Sequence, residues 1–291
     1  MPEITILDGG MGQELIARAP EGPTPLWATQ VMMDHPDIVR DIHGDYFAAG
    51  ADVATANTYA VLRDRLANNG IEDQFEALHQ KGQEIARAAR DAHGAGKVAS
   101  SLGPLGASYR PDLAPEVDVS AQAYAEIVAL HDAHVDLHII ETASGLKLAE
   151  GALAGCVDAT KPVWIALSVD DADGTKLRSG NALKDALPLL DNYAPAAVLI
   201  NCSTPEAVSQ ALPIIGAHGL PFGAYANGFT KISDAFKVVN QVVDTLKARS
   251  DLGPEAYADF AEDWAEMGAT IIGGCCEVGP AHIAELKRRF G

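Results

Sequence analysis

Near the C-terminus the run ATIIGGCCEVGP, residues 269–280, ends an apolar stretch in two glycines and two adjacent cysteines. A third cysteine, Cys202, closes the apolar run AAVLINCS at 196–203, and the chain has four cysteines in all. Neighbouring cysteines are poor disulfide partners, and four are too few to staple a chain of 291 residues. Such thiols are inert core groups, nucleophiles or metal ligands. Cys156 lies inside a helical pattern and reads as an inert core thiol. Cys202, Cys275 and Cys276 read as soft ligands for Zn2+ with a fourth position left for substrate. A free thiol ionises near ~8.5, and coordination to zinc deprotonates it outright. Three thiolates on a divalent ion leave a net negative site, so a thiolate bound there stays nucleophilic. The chemistry this suits is attack of a thiol on an electrophilic carbon rather than hydrolysis. A redox role for the Cys275–Cys276 pair is weaker, because the pair lacks C-x-x-C spacing.

Two acids sit beside comparable apolar runs. Asp8 is wedged between ITIL and Gly9-Gly10, and Glu141 lies in LHIIETA. Their functional reading is a pair of acceptors for an α-ammonium group. General acid–base work stays open, as does a plain helix cap or surface carboxylate.

All these residues need elements that bring them together. Eight short runs have strand character, at 4–9, 52–59, 97–104, 137–143, 162–169, 196–203, 221–228 and 269–276. Most are continuously apolar, as parallel strands covered on both faces must be. Helical patterns alternate with them, several opening on Ser, Thr or Pro, and PDIVRDIHGDYFAAGA runs from Pro to Gly. Eight such repeats predict one α/β domain over 1–291, a (β/α)8 TIM barrel. An open doubly wound sheet is the alternative, but DGGMGQEL does not fit G-x-G-x-x-G in register. In a barrel the carboxyl ends of the strands form one rim, where Asp8, Glu141, Cys202, Cys275 and Cys276 would meet. Gly273 and Gly274 would let the backbone leave strand geometry so that both neighbouring sulfurs face one ion. The segment 229–254 is expected to form a helix and lid over the site, or an oligomer contact.

Composition narrows the partners. Lys and Arg number 21 against 40 Asp and Glu, a formal charge of −19, which repels nucleic acid and anionic membranes. That acidic field tolerates a small cation. No run is long and apolar enough for a membrane helix, and MPEITILDGG has no signal-peptide character, so a cytoplasmic location is expected.

The ordered set LDGGMGQEL, PLWATQVMMDHPDIVRDIHGDYFAAGADVATANTY, SLGPLGASY, IIETASGLKLAEGAL, LINCSTPE and WAEMGATIIGGCCEVGPAHI resembles the homocysteine S-methyltransferase family over essentially the whole chain. The resemblance implies a zinc-dependent barrel enzyme that methylates L-homocysteine to methionine, with Cys202, Cys275 and Cys276 on the zinc. It implies that Asp8 and Glu141 hold the homocysteine amino group and that amides around Gly10 and Met11 cradle its carboxylate. Asn227 is similar to a residue that fills the fourth zinc position in resting family members. The chain departs from the family at Ala226-Asn227, at Thr142-Ala143-Ser144-Gly145 and at Glu277-Val278-Gly279, all on the donor side of the pocket. It has no room for folate or cobalamin domains, so a small cationic methyl donor is expected, S-methylmethionine or S-adenosylmethionine before betaine or dimethylsulfoniopropionate. Trp27, Tyr46, Tyr59 and Tyr109 are the aromatic candidates for holding that cation. A non-catalytic zinc- or thiol-binding barrel is the alternative from another class, and a homo-oligomer is compatible with either.

Overall fold

The computed structural model describes residues 3–20, 24–230 and 247–291. Its eight strands are β1 (Thr5–Ile6), β2 (Val53–Thr55), β3 (Lys97–Leu102), β4 (Leu137–Ala143), β5 (Val163–Leu167), β6 (Ala197–Asn201), β7 (Phe222–Ala226) and β8 (Ile271–Gly274). All pair in parallel, in the order β1-β8-β7-β6-β5-β4-β3-β2. Leu7 bridges to Val53, and the Asp8 N–H donates to the Val53 carbonyl, so the two ends of the sheet meet. The (β/α)8 barrel is as expected, and each strand except β4 is shorter than its apolar run. Asp8, Cys202, Cys275 and Cys276 are among the residues trimmed from the C-terminal ends.

Two apolar layers hold the barrel. Leu7, Val53, Ile139, Ala166, Leu199 and Ile271 fill its interior. A larger cluster joins the outer strand faces to the helices, with Trp264, Tyr124 and Tyr257 wholly buried in it. The helices that matter for the site are α1 (Met11–Arg18), α2 (Ala28–Asp34), α3 (Pro36–Ala49) and α4 (Arg63–Asn68). Pro36 opens α3, and Gly50, at φ +104°, ends it in the left-handed conformation that the Pro-to-Gly order predicts. Residues 231–246, most of the segment expected to be a lid, lie outside the described residues. At its edges Phe229 pairs with Ala248, and Arg249 is ion-paired to Glu206 and Asp251. Among the described residues no helix is long and apolar enough to cross a membrane.

Candidate active site

The strand ends surround a cavity of about 150 Å³ lined on one side by Asp8 and Glu141 and on another by Cys202, Cys275 and Cys276. The fold thus brings together all five residues expected at the rim.

On the acid side, Asp8 directly follows the barrel-closing bridge and is only 6 % exposed. Its Oδ2 accepts from the Thr55 backbone N–H at 2.7 Å, and its Oδ1 accepts from the Thr55 hydroxyl at 3.1 Å. Glu141 accepts from the Ser101 hydroxyl and, at 3.1 Å, from the Tyr225 hydroxyl. Burial pushes the Asp8 carboxyl from its ordinary 3.8 up to about 8; the Thr55 hydrogen bonds oppose this and the charge of Glu141 adds to it. Burial raises Glu141 as well, against the bonds from Ser101 and Tyr225. Two carboxyl groups that resist ionisation in one cavity are relieved by a cation placed between them. A substrate ammonium is such a cation.

The sulfur side is built differently. The three sulfurs lie within 4.8 Å of one another. Cys202 and Cys275 are in direct sulfur–sulfur contact, their Cα atoms 5.8 Å apart, and Cys276 is a free thiol. Cys202 follows β6 at φ +47°, a conformation that costs a non-glycine residue about 1–2 kcal/mol. Backbone bonds fix all three. The Cys202 N–H donates to the Tyr225 carbonyl, the Cys275 N–H donates to the Ala226 carbonyl, and the Cys276 carbonyl accepts from the Gly228 N–H. Arg178 completes the hold on Cys202. Its guanidinium donates to the Cys202 carbonyl at 2.8 Å and to the Ser168 hydroxyl at 2.8 Å, pairs with Asp171 at 2.9 Å, and stacks over the Tyr109 ring.

Gly273 and Gly274 act otherwise than the sequence suggests. Both remain in β8, and neither has a positive φ. They permit close approach: a Cβ on Gly273 would meet Leu7 Cβ at 2.4 Å, and one on Gly274 would meet Val278 Cγ1 at 2.1 Å. The chain leaves strand geometry after them, in the turn through Cys275 and Cys276, and Glu277 takes φ +63°.

Strain concentrates here. Of the non-glycine residues with positive φ, Trp27, Tyr109, Thr142 and Cys202 all line the cavity. Asn201 steadies two of them. Its Oδ1 accepts from the Thr142 N–H at 3.1 Å and its Nδ2 donates to the Thr142 hydroxyl at 3.1 Å, so the residue before Cys202 also holds the turn after Glu141.

The remaining expectations divide. Gly10 and Met11 line the cavity, but the Gly10 N–H donates to the Val278 carbonyl at 2.9 Å and is not free for a carboxylate. Free amides begin at Met11, where α1 starts without a side-chain cap. Asn227 is not among the cavity-lining residues; its Oδ1 accepts from the Phe229 N–H two residues on and closes a local turn after β7. Trp27, Tyr59 and Tyr109 line the cavity, whereas Tyr46 lies behind it, donating to the Gly10 and Val278 carbonyls. Sequence reasoning missed Thr55, Ser101, Gln13 and Arg178. Their place toward the carboxyl ends of the runs DVATANTY and KVASSLGP offered a signal for Thr55 and Ser101, since polar residues at strand ends meet the site. Gln13 lines the cavity with both amide atoms buried and unpartnered. Nothing local marked Arg178, which reaches Cys202 from the irregular chain after β5.

Three clustered sulfurs with no competing carboxylate among them could hold a soft metal ion. Burial pushes the Cys276 thiol up to about 12, so a thiolate there needs a cation to offset it.

A family model described as Homocysteine S-methyltransferase matches residues 5–290. The chain is 33 % identical to a homocysteine S-methyltransferase of Escherichia coli (strain K12), covering 99 % of this chain and 95 % of that protein. It is 27 % identical to one of Bacillus subtilis (strain 168), covering 97 % and 93 %. Among solved structures, the metallated form of the homocysteine methyltransferase MmuM from Escherichia coli superposes with a TM-score of 0.82 at 31 % identity, covering 99 % of this chain and 96 % of that one.

Proposed function

The chain belongs to the homocysteine S-methyltransferase family and is a homocysteine S-methyltransferase, and on that premise we propose that Cys202, Cys275 and Cys276 hold zinc and that the methyl donor is a sulfonium. The observation that carries this reading is the meeting of three sulfurs and two uncompensated carboxyls in one cavity. A structural metal site needs no such acids, which argues against a non-catalytic barrel. Zinc bound to the three sulfurs would supply a Lewis acid that keeps a substrate thiol in its thiolate form near neutral pH.

The protein's own groups do the rest. Asp8 and Glu141 take the homocysteine ammonium, and the start of α1 at Met11 and Gly12 takes its carboxylate, with the unpartnered Gln13 amide as a further donor. Gly10 contributes close approach of the backbone. The amino-acid head is thereby fixed, and its thiol is directed toward Cys202, Cys275 and Cys276. The homocysteine sulfur attacks the donor methyl carbon, a new S–C bond forms, and the old S–C bond breaks with its electron pair going to the donor sulfur. The donor leaves as a neutral thioether, so no acid is required to protonate it. Trp27 and Tyr59 offer aromatic faces to the donor cation, while one face of Tyr109 already carries Arg178. Three sulfurs that hold zinc must be kept reduced, which suits a reducing cytoplasm.

The test is metal analysis together with methyl transfer to homocysteine from S-methylmethionine, S-adenosylmethionine, betaine and dimethylsulfoniopropionate in parallel. One zinc per chain and fastest transfer from S-methylmethionine or S-adenosylmethionine are expected. A zinc-free active protein would sink the metal assignment, and a preference for betaine would sink the donor assignment.

A further inference from the structure

In a protein with nearly two acidic residues for each basic one, arginines find carboxylates easily. Among the described arginines all but two do so. Arg87 instead meets the His134 ring. Arg65 has no partner for its guanidinium among the described residues, and it lines the same cavity as the sulfurs and the acids.

The reason is local. Arg65 sits in α4, a short helix between β2 and the rest of the second repeat. That helix is pinned on one side by Arg63, which pairs with Glu126 at 2.5 Å and lies 4.2 Å over the Phe75 ring. Leu66 anchors it to the core. Two residues beyond Arg63 a helix has turned by about 200°, so the fastening of Arg63 outward presents Arg65 to the other side, where the cavity lies. A half-buried guanidinium with five unused donors is a carboxylate receptor.

We infer that Arg65 binds the carboxylate of the methyl donor, so that the enzyme selects an onium compound that is also a carboxylate. This rests on the reading above, in which both charged groups of homocysteine are already matched by Asp8, Glu141 and the start of α1. The donor then supplies the anion for Arg65 and the cation for the aromatic faces. Tyr59 and Arg65 come from the same connection after β2, so one segment recognises both ends of the donor.

The experiment compares S-methylmethionine with trimethylsulfonium, an onium without a carboxylate, in wild type, Arg65→Met and Arg65→Lys. Loss of a charge-assisted contact predicts a rise of about 10- to 100-fold in the KM for S-methylmethionine in Arg65→Met, with Arg65→Lys between. The KM for homocysteine and the rate with trimethylsulfonium stay at wild-type values. Calorimetric titration of S-methylmethionine into the same proteins gives the comparison without turnover. Unchanged donor affinity in Arg65→Met, or equal weakening toward trimethylsulfonium, overturns the inference while methylation of homocysteine leaves the proposed function standing. A wild-type protein that neither binds nor uses S-methylmethionine or S-adenosylmethionine overturns both this inference and the sulfonium assignment.

Discussion

Asp8 and Glu141 are held through their side chains, by Thr55, Ser101 and Tyr225, whereas Cys202, Cys275 and Cys276 are held through their backbones. On the acid side Thr142, next to Glu141, also takes φ +57°, but the larger tension is electrostatic, two carboxyls kept from water. On the sulfur side the tension is conformational, with Cys202 in the left-handed region and Glu277 likewise just past the pair. On the proposed reading the acids take a charge, and the sulfurs take an ion that fits a shape already set. Substitutions should therefore separate the two sides cleanly.

The largest effect expected is from Cys202→Ala. Bound zinc falls well below one equivalent, and methyl transfer drops to background, because a metal site with two sulfurs lacks a ligand. Asp8→Asn is the control, since Asp8 touches none of the sulfurs: zinc stays at one equivalent while activity falls. Parallel loss of zinc in both variants, measured by metal analysis after desalting, would break the division between the two sides.

Next come the acids themselves. Asp8→Asn and Glu141→Gln each remove a charge-assisted contact to the substrate ammonium, and the KM for homocysteine should rise about 10- to 100-fold. The raised pKa of Asp8 adds a pH signature. With its folded value at about 8 and its ordinary value 3.8, Asp8 holds its proton in the free protein through neutral pH. Binding an ammonium expels that proton, so homocysteine affinity should climb as pH rises toward 8. Stability runs the other way. The folded state binds the proton more tightly than the unfolded chain, so this contribution falls as pH rises from about 4 to about 8, by up to about 1.4 kcal/mol per unit. Asp8→Asn should therefore gain on wild type in denaturant midpoint between pH 5 and 8 (roughly the window set by the two values). A constant difference across that window would refute the assignment of Asp8 as the buried, protonated group.

The same contrast explains what could be read from the residues alone. The barrel was legible because eight apolar runs alternate with helical patterns, and the acids and thiols were legible because they stand at the ends of those runs. Side-chain identity carries that much. Backbone conformation does not show in residue type, so Gly273 and Gly274 suggested a departure from strand geometry that comes only after them, with Glu277 at positive φ. Asn227 entered only through the family resemblance, and its oxygen accepts from the Phe229 N–H, a bond fixed by local chain direction. Arg178 and Thr55 act across repeats, and no local pattern encodes contacts between the loop after β5 and the end of β6.

A smaller effect is expected from Arg178→Met. Arg178 touches the carbonyl of Cys202, not its sulfur, and so works by holding a ligand's backbone in place. Outer groups of this kind alter metal affinity by about 10- to 100-fold. Zinc affinity measured with a competing chelator should fall by that amount, and the KM for homocysteine at saturating zinc should remain near wild type. A shift in KM with unchanged zinc affinity would place Arg178 with the substrate instead.

Gly274→Ala should have the smallest effect and is the only change here expected to reach both sides. The added methyl would overlap the Val278 side chain, and overpacking of this sort costs about 1–3 kcal/mol. For a chain of this size that corresponds to a fall of roughly 2–10 °C in melting temperature. Val278 does more than fill space: its carbonyl accepts from the Gly10 N–H and from the Tyr46 hydroxyl. Displacing it moves the start of α1, where the homocysteine carboxylate is proposed to bind, together with the turn that carries Cys275 and Cys276. Gly274→Ala should accordingly raise the KM for homocysteine and weaken zinc by similar small factors. If only zinc binding changes, Val278 is packing for the sulfur side alone, and the two halves of the rim are more independent than their shared contact with Val278 implies.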